Sequence, residues 1–224
     1  MSTPIKATLR QQTPNNMKVE IALAYLGIEY EVEAIEGKEP ETIAKLVAES
    51  GQPLTPYLRL GETIVYDSSA ILRYLDANFP GPRLFSADRD EIKLIEGWEL
   101  YTKNEPMPAM GPAFSVYFGK KEGEEAALGI AKANRALSEV TEQVERRLAS
   151  QAELGSDWLV GNAMTAADIF VASYLSFGAF PGGFADRHPL WKWFDGKVTL
   201  GKGRELTRAH VARVLSYLPA PVAL

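Results

Sequence analysis

The sequence predicts an α/β domain over residues 1–79, a linker over 80–88 and an all-helical bundle domain over 89–224. Three observations carry this. Strand-like and helix-like segments alternate through the first third of the chain. Pro80-Gly81-Pro82 then interrupts the pattern. Beyond it, period-two alternation all but vanishes while three- and four-residue periodicity persists. With 224 residues, 46% hydrophobic and 24% charged, the chain can bury two modest cores.

Ile5 to Leu9 is a short β-prone run. Thr13-Pro14-Asn15-Asn16 reads as a turn with an asparagine cap, because Met17, Ile21, Leu23 and Leu26 follow at helical spacing. Gly27 is the expected stop, since glycine takes the left-handed conformation without a steric penalty. From Glu29 to Ala34 acidic and less polar residues alternate strictly, the signature of a half-buried strand. Residues 40–50 form a helix with Ile43, Leu46 and Val47 on one side. Tyr57 to Leu60, the Gly61-Glu62 turn and Thr63 to Tyr66 form a β-hairpin. Asp67-Ser68 opens a helix to about Asn78, with Ala70, Ile71, Tyr74 and Leu75 spaced for burial. The order β-α-β-α-β-β-α is that of thioredoxin, with antiparallel strands closing a sheet begun in parallel.

In the second domain, residues 89–101 form a helix with Ile92, Ile95 and Leu100 toward the core, and Pro106, Pro108 and Pro112 interrupt its continuation. Residues 124–151 are the longest helical stretch, with Leu137, Val140, Val144 and Leu148 at core spacing. Thr165-Ala166-Ala167-Asp168 is a capping box for a helix over 166–175. One more helix is expected after His188, where Trp191, Trp193, Phe194, Val211, Val214 and Leu215 cluster.

Composition also excludes functions. A net charge of -5 without a basic stripe argues against nucleic-acid binding. No apolar run approaches the roughly 20 residues of a membrane span, and the first nine residues lack an apolar leader, so the expected location is the cytoplasm. The chain has no cysteine, which rules out disulfides, thiolate metal sites, a cysteine nucleophile and a CxxC redox pair. His188 and His210 lack the carboxylate spacing of a zinc site, so no metal is expected. Chemistry must come from hydroxyls, amides, carboxylates or a borrowed thiol.

Three segments taken together resemble the soluble glutathione transferase superfamily across most of the chain. They are Thr55-Pro56-Tyr57-Leu58 followed by residues 67–75 (Asp-Ser-Ser-Ala-Ile-Leu-Arg-Tyr-Leu), Trp158 to Gly161 running into the Thr165–Asp168 box, and Thr13-Pro14-Asn15 before Lys18-Val19. The third is similar to the bacterial nu-class pattern. The resemblance implies a glutathione-binding thioredoxin-like domain, glutathione as co-substrate and a two-fold homodimer. It implies a cis bond before Pro56, exposing the Thr55 backbone to pair with the cysteinyl part of glutathione. It implies that Asp67 and Ser68 hold the γ-glutamyl group, with Gln52 standing in near the glycyl end because Leu54 occupies a position often polar in relatives.

In the same family a residue of the first loop activates the sulfur, and the pattern implies Thr13 and Asn15 here. Both residue types also favour plain helix capping. Tyr101, Met107, Met110, Phe114, Tyr117 and Phe118 could line an apolar co-substrate pocket or equally belong to the core. The expected activity is glutathione transfer to electrophiles, or glutathione-dependent reduction of disulfides or peroxides. The alternatives are a non-catalytic binding or assembly module and a glutathione-dependent isomerase or lyase.

Overall fold

The computed structural model describes residues 4–35, 37 and 39–222. The chain divides into two units, residues up to Phe85 joined by the segment from Tyr217 onward, and Ser86–Ser216. The sequence reading assigned that last segment to the helical domain. Its attachment to the first unit comes from the Val222 amide donating to Gln11 Oε1 at 3.0 Å and the Tyr217 ring meeting Tyr25 edge-on.

In the first unit the elements are β1 (Ile5–Leu9), α1 (Pro14–Tyr25), β2 (Tyr30–Ala34), α2 (Pro40–Ser50), β3 (Tyr57–Leu60), β4 (Thr63–Tyr66) and α3 (Ser68–Asn78). The sheet runs β2-β1-β3-β4, with β1 parallel to β2 and antiparallel to β3. Parallel pairing needs a crossover, which α1 supplies. This is the thioredoxin-like arrangement that the element order predicts. Gly27 ends α1 at φ 67°, and Gly51 ends α2 at φ 78°. Two corrections concern which faces are buried. Val47 is 44% exposed, leaving Leu46 as the fully buried anchor of α2. Ala70 is exposed and Leu72 takes its place in the core of α3. After α3, buried Asp76 accepts the Leu84 amide at 2.6 Å and the Arg83 guanidinium at 2.7 and 3.2 Å, which fixes the linker.

The described residues of the second unit hold helices and no strand: α4 (Arg89–Asn104), α5 (Pro106–Phe118), α6 (Gly123–Glu153), α7 (Ala166–Leu175), α8 (Pro189–Phe194) and α9 (Glu205–Leu215), with two short 3₁₀ turns. Every residue of α7 is buried, so this helix is the axis around which the others pack. The expected capping box is formed. Asp168 Oδ2 accepts the Thr165 amide at 2.7 Å, and Oδ1 accepts the Leu159 amide at 2.8 Å. The tail forms two helices rather than one, separated by the glycines at 196, 201 and 203, all at positive φ. Leu100 is 59% exposed, and the buried positions of α4 are Ile95, Trp98, Glu99 and Thr102. The prolines after α4 do not abolish helix. Pro106 sits at the permissive start of α5, and only Pro112 lies inside it.

His210 of α9 lies beneath Trp158, wholly buried, with Nε2 3.6 Å from Asp168 Oδ1. Burial pushes His210 down to about 4 and Asp168 up to about 6. The imidazole is therefore neutral at pH 7, and the contact is not an ion pair. No described helix is long and apolar enough to cross a membrane.

Candidate functional site

Register brings three separate segments to one end of the sheet. Tyr57 pairs with Thr8 on one side and with Tyr66 on the other. The loop after β1, the Thr55-Pro56 turn before β3 and the Asp67-Ser68 step after β4 therefore meet at that end. In α/β sheets this end, beyond the carboxyl terminus of the first strand, is where ligands bind.

Residues 10–13 turn the chain from β1 into α1. The Thr13 amide and its Oγ1 both donate to the Arg10 carbonyl at 3.0 Å. Asn16, 1% exposed, staples the loop. Its Nδ2 donates to Thr13 Oγ1 at 2.6 Å, and its Oδ1 accepts the Arg10 amide at 2.9 Å. Thr13 thus holds the N-cap position without its side chain capping the helix, correcting the expected asparagine cap. Its hydroxyl proton is directed at Arg10, so donation to a ligand would require the hydroxyl to turn. Asn15 is exposed, and its Oδ1 accepts from Lys18 Nζ at 2.9 Å.

Residues 16–23 of α1 are all buried, including Lys18 at 3% and Glu20 at 1% exposure. Gln11 Nε2 donates to Glu20 Oε1 at 2.6 Å, and the Tyr30 hydroxyl approaches the same oxygen at 3.4 Å. Burial raises Glu20 to about 7, against the smaller opposing effects of those two donors. In the sequence Asn16 stands out only as part of the capping turn and Lys18 only as part of the motif, and Glu20 not at all. The available signal was a lysine and a glutamate inside the apolar run 17–23, the wrong place for a solvated face.

The Thr55–Pro56 bond is cis, as the resemblance implies. Pro56 is buried, and half-buried Thr55 stands just ahead of the β3 ladder. The Gln52 amide donates to Ser50 Oγ at 3.4 Å, which places Gln52 on the loop between α2 and β3. Asp67 has φ 66°, an uncommon conformation for a residue with a side chain and one that concentrates at ligand sites. Its exposed carboxylate accepts the amides of Ser69 at 2.9 Å and Ala70 at 3.2 Å. Ser68 is buried at the first position of α3, where helix amides and dipole favour an anion.

Of the six residues of the expected apolar pocket, Phe114, Tyr117 and Phe118 form one cluster at the end of α5, with the Phe118 ring against both of the others. Tyr101 donates through its hydroxyl to the Val140 carbonyl, and Met110 lies in the core. Phe114 packs edge-on against Phe177 and Phe194, and Tyr117 meets Trp193. Met107 and Phe118 are 47% and 58% exposed, and with Phe114 they share one face of α5. Elsewhere, a cavity of about 460 Å³ opens beside Phe180, Val198 and Arg208. In the first unit a cavity of about 610 Å³, bordered by Ile5, Leu26, Tyr30 and Phe79, opens at the sheet end opposite the candidate site. Among the described residues, no group of three or more His, Cys, Asp or Glu is arranged to hold a metal ion.

Comparison with known proteins gives matching family models for both halves. Residues 12–83 match the glutathione S-transferase N-terminal domain, and residues 107–196 match its C-terminal domain. No curated protein matches the sequence significantly. Among solved structures, the chain is similar to a theta-class glutathione S-transferase from Xanthomonas axonopodis pv. citri with glutathione bound. The TM-score is 0.74 at 20% identity, over 97% of this chain and 98% of that one. It is also similar to Ure2p in complex with S-hexylglutathione, with a TM-score of 0.73 at 19% identity, over 96% and 98%. A bacterial maleyl pyruvate isomerase of the zeta class gives 0.71 at 21% identity, over 94% and 92%.

Proposed function

The chain belongs to the glutathione S-transferase superfamily, and we propose that it binds glutathione and presents the thiolate for reaction. The convergence of residues 10–15, 55–56 and 67–68 at one sheet end carries this reading. The Thr55 backbone receives the cysteinyl portion as an added strand. The buried Ser68 hydroxyl and the start of α3 take the γ-glutamyl carboxylate, Asp67 takes the ammonium, and Gln52 serves the glycyl end. The sulfur then lies before the first turn of α1, near Thr13 and Asn15. The exposed Met107–Phe118 stripe of α5 offers apolar contact for a co-substrate.

A thiol of pKa about 8.5 is only a few per cent ionised at pH 7. Lowering it to about 6.5 takes roughly 2.7 kcal/mol of preferential thiolate stabilisation, the scale of one or two charge-assisted hydrogen bonds and a helix terminus. The thiolate can add to an electrophilic carbon. It can also attack a disulfide sulfur, releasing a thiol and leaving a mixed disulfide. Because this chain has no cysteine, a second glutathione must resolve that species, giving glutathione disulfide and the second thiol. A cytoplasmic homodimer completes the proposal, and light scattering checks the assembly.

The test follows the absorbance of the complex at about 240 nm against pH, where a bound thiol titrating near 6.5 is expected and one near 8.5 overturns activation. In the Thr13→Val variant the bound thiol should titrate about one pH unit higher. An unchanged titration removes Thr13 from the mechanism. A panel with a disulfide, a peroxide, an aryl halide and a maleyl substrate separates transfer, reduction and isomerisation. The maleyl substrate is included because of the likeness to the zeta-class isomerase. One observation favours a second reading, a binding module without turnover: the Thr13 hydroxyl proton is engaged by Arg10. The fold also resembles the nitrogen regulation fragment of the yeast prion protein Ure2p. Glutathione binding without a lowered thiol pKa in the same titration would establish it.

A further inference from the structure

We propose that the cavity beside Phe180, Val198 and Arg208 is a second binding site, fitted to a small organic monocarboxylate whose body is apolar and whose charge meets the Arg208 guanidinium. It lies wholly within the second unit and needs no glutathione.

The cavity takes its shape from one glycine and a set of polar staples. Between the end of α8 and the start of α9, residues 195–204 run without helix or strand. Asn134 of α6 pins this segment with both arms of its amide. Its Nδ2 donates to the Lys197 carbonyl at 3.0 Å, and its Oδ1 accepts the Thr199 amide at 2.9 Å. Arg204 Nη2 donates to the Ser138 carbonyl of the same helix at 2.9 Å. Between these staples stands Gly201, at φ 89°. A β-carbon there would lie 2.5 Å from Ser138 Oγ and 2.9 Å from Ser138 Cβ, so only glycine lets the segment run this close to α6. Held to α6, the segment is kept from closing on the apolar surface across from it. The resulting space of about 460 Å³ is preformed and has the size of a small-molecule site.

The lining then selects the ligand. Phe177 and Val198 are 1% and 3% exposed, and with half-buried Phe180, Pro181 and Ala212 they give apolar walls. The Phe177 and Phe180 ring centroids are 5.4 Å apart, which suits an aryl body. The charged groups on the lining are Arg208 and Asp195. Arg208 of α9 is half-buried and has no carboxylate partner among the described residues. One of its N–H donors goes to the Gly201 carbonyl, so the glycine that shapes the wall also aims the guanidinium. The donors left over form a planar fork that matches a carboxylate. Asp195 is exposed, where water and salt screen it, and the half-buried cation therefore sets the sign of the ligand.

The experiment titrates phenylbutyrate, and its neutral analogue phenylbutanamide, into the full chain by calorimetry at neutral pH, with and without excess glutathione. One phenylbutyrate should bind per chain with a Kd of about 1 mM or tighter, unchanged within about twofold by glutathione. The amide should bind at least about tenfold more weakly, because it forfeits the charge-assisted contact. Arg208→Met should weaken the acid by about the same tenfold and leave the amide as it was. Arg208→Lys keeps the charge and should bind the acid more tightly than Arg208→Met does. Ala212→Phe fills the cavity from α9 and should abolish binding of both compounds. Equal affinities for acid and amide, or parent-like binding of the acid in folded Arg208→Met or Ala212→Phe, overturns the proposal. Displacement of the acid by glutathione also overturns it, by placing the acid in the first unit's site, and so does a parent that binds no phenylbutyrate. Should one of those two variants not fold, the other decides.

Discussion

Glu20→Gln is the sharpest test of how the core beneath the candidate site is built. Glu20 is 1% exposed, and burial raises its carboxyl from 4.5 to about 7. The folded state therefore holds a proton that the unfolded chain has already released between those two pH values. Stability from this group is present below pH 4.5 and is lost as pH rises through about 7. At 1.36 kcal/mol per pH unit, the loss approaches about 3 kcal/mol by pH 8. Glutamine is nearly isosteric and keeps an oxygen for Gln11 Nε2, now 2.6 Å from Glu20 Oε1. It removes only the titration. Urea denaturation of parent and variant at pH 4.5, 6 and 8 is the assay. The variant's advantage should grow by about 3 kcal/mol from the lowest to the highest pH, about half of it by pH 6. A constant difference across the series would refute a raised carboxyl. The network also reaches the site, since Gln11 precedes Thr13 and accepts the Val222 amide through its own oxygen. Glutathione affinity of the variant should accordingly vary less with pH than that of the parent.

Two further outcomes follow from named contacts. Ser68→Ala removes a hydroxyl at the start of α3 and should weaken glutathione binding by about 1–3 kcal/mol, raising KM more than it lowers kcat; unchanged affinity by calorimetry returns Ser68 to a structural role. His210 is held down to about 4 from 6.5, so the stability it contributes is lost as pH falls through that interval. Whatever His210→Gln costs at pH 7, that cost should shrink by about 3 kcal/mol at pH 4, and equal denaturation differences at the two pH values would contradict the burial effect.

Element order and most boundaries were legible in the sequence because the signals that set them are local. The hairpin over 57–66 and the helix over 40–50, stopped by Gly51, form where alternation, periodicity and turn chemistry put them. The Thr165–Asp168 box forms for the same reason, since its partners lie three residues apart. The site segments were legible only as a pattern of motifs. No local rule states that residues 10–15, 55–56 and 67–68 meet, because antiparallel register between β1, β3 and β4 decides it.

Tertiary packing alone determined which side chains are covered and how the polar ones are spent. Val47 and Leu100 fit an apolar stripe by spacing, yet both are exposed, because a stripe is buried only as far as its neighbours reach. Lys18 and Glu20 are charged residues inside a helix buried on all sides, and only the layers around α1 make them so. Thr13 carries the hydroxyl the family pattern asks for, but Asn16 and Arg10 determine where its proton points. Gln11 holds Val222 across 211 positions of sequence, a distance over which the linear pattern carries no information. Periodicity records the preferences of a segment for itself, whereas burial, hydrogen-bond partners and raised or lowered pKa values belong to the neighbours that folding brings to it.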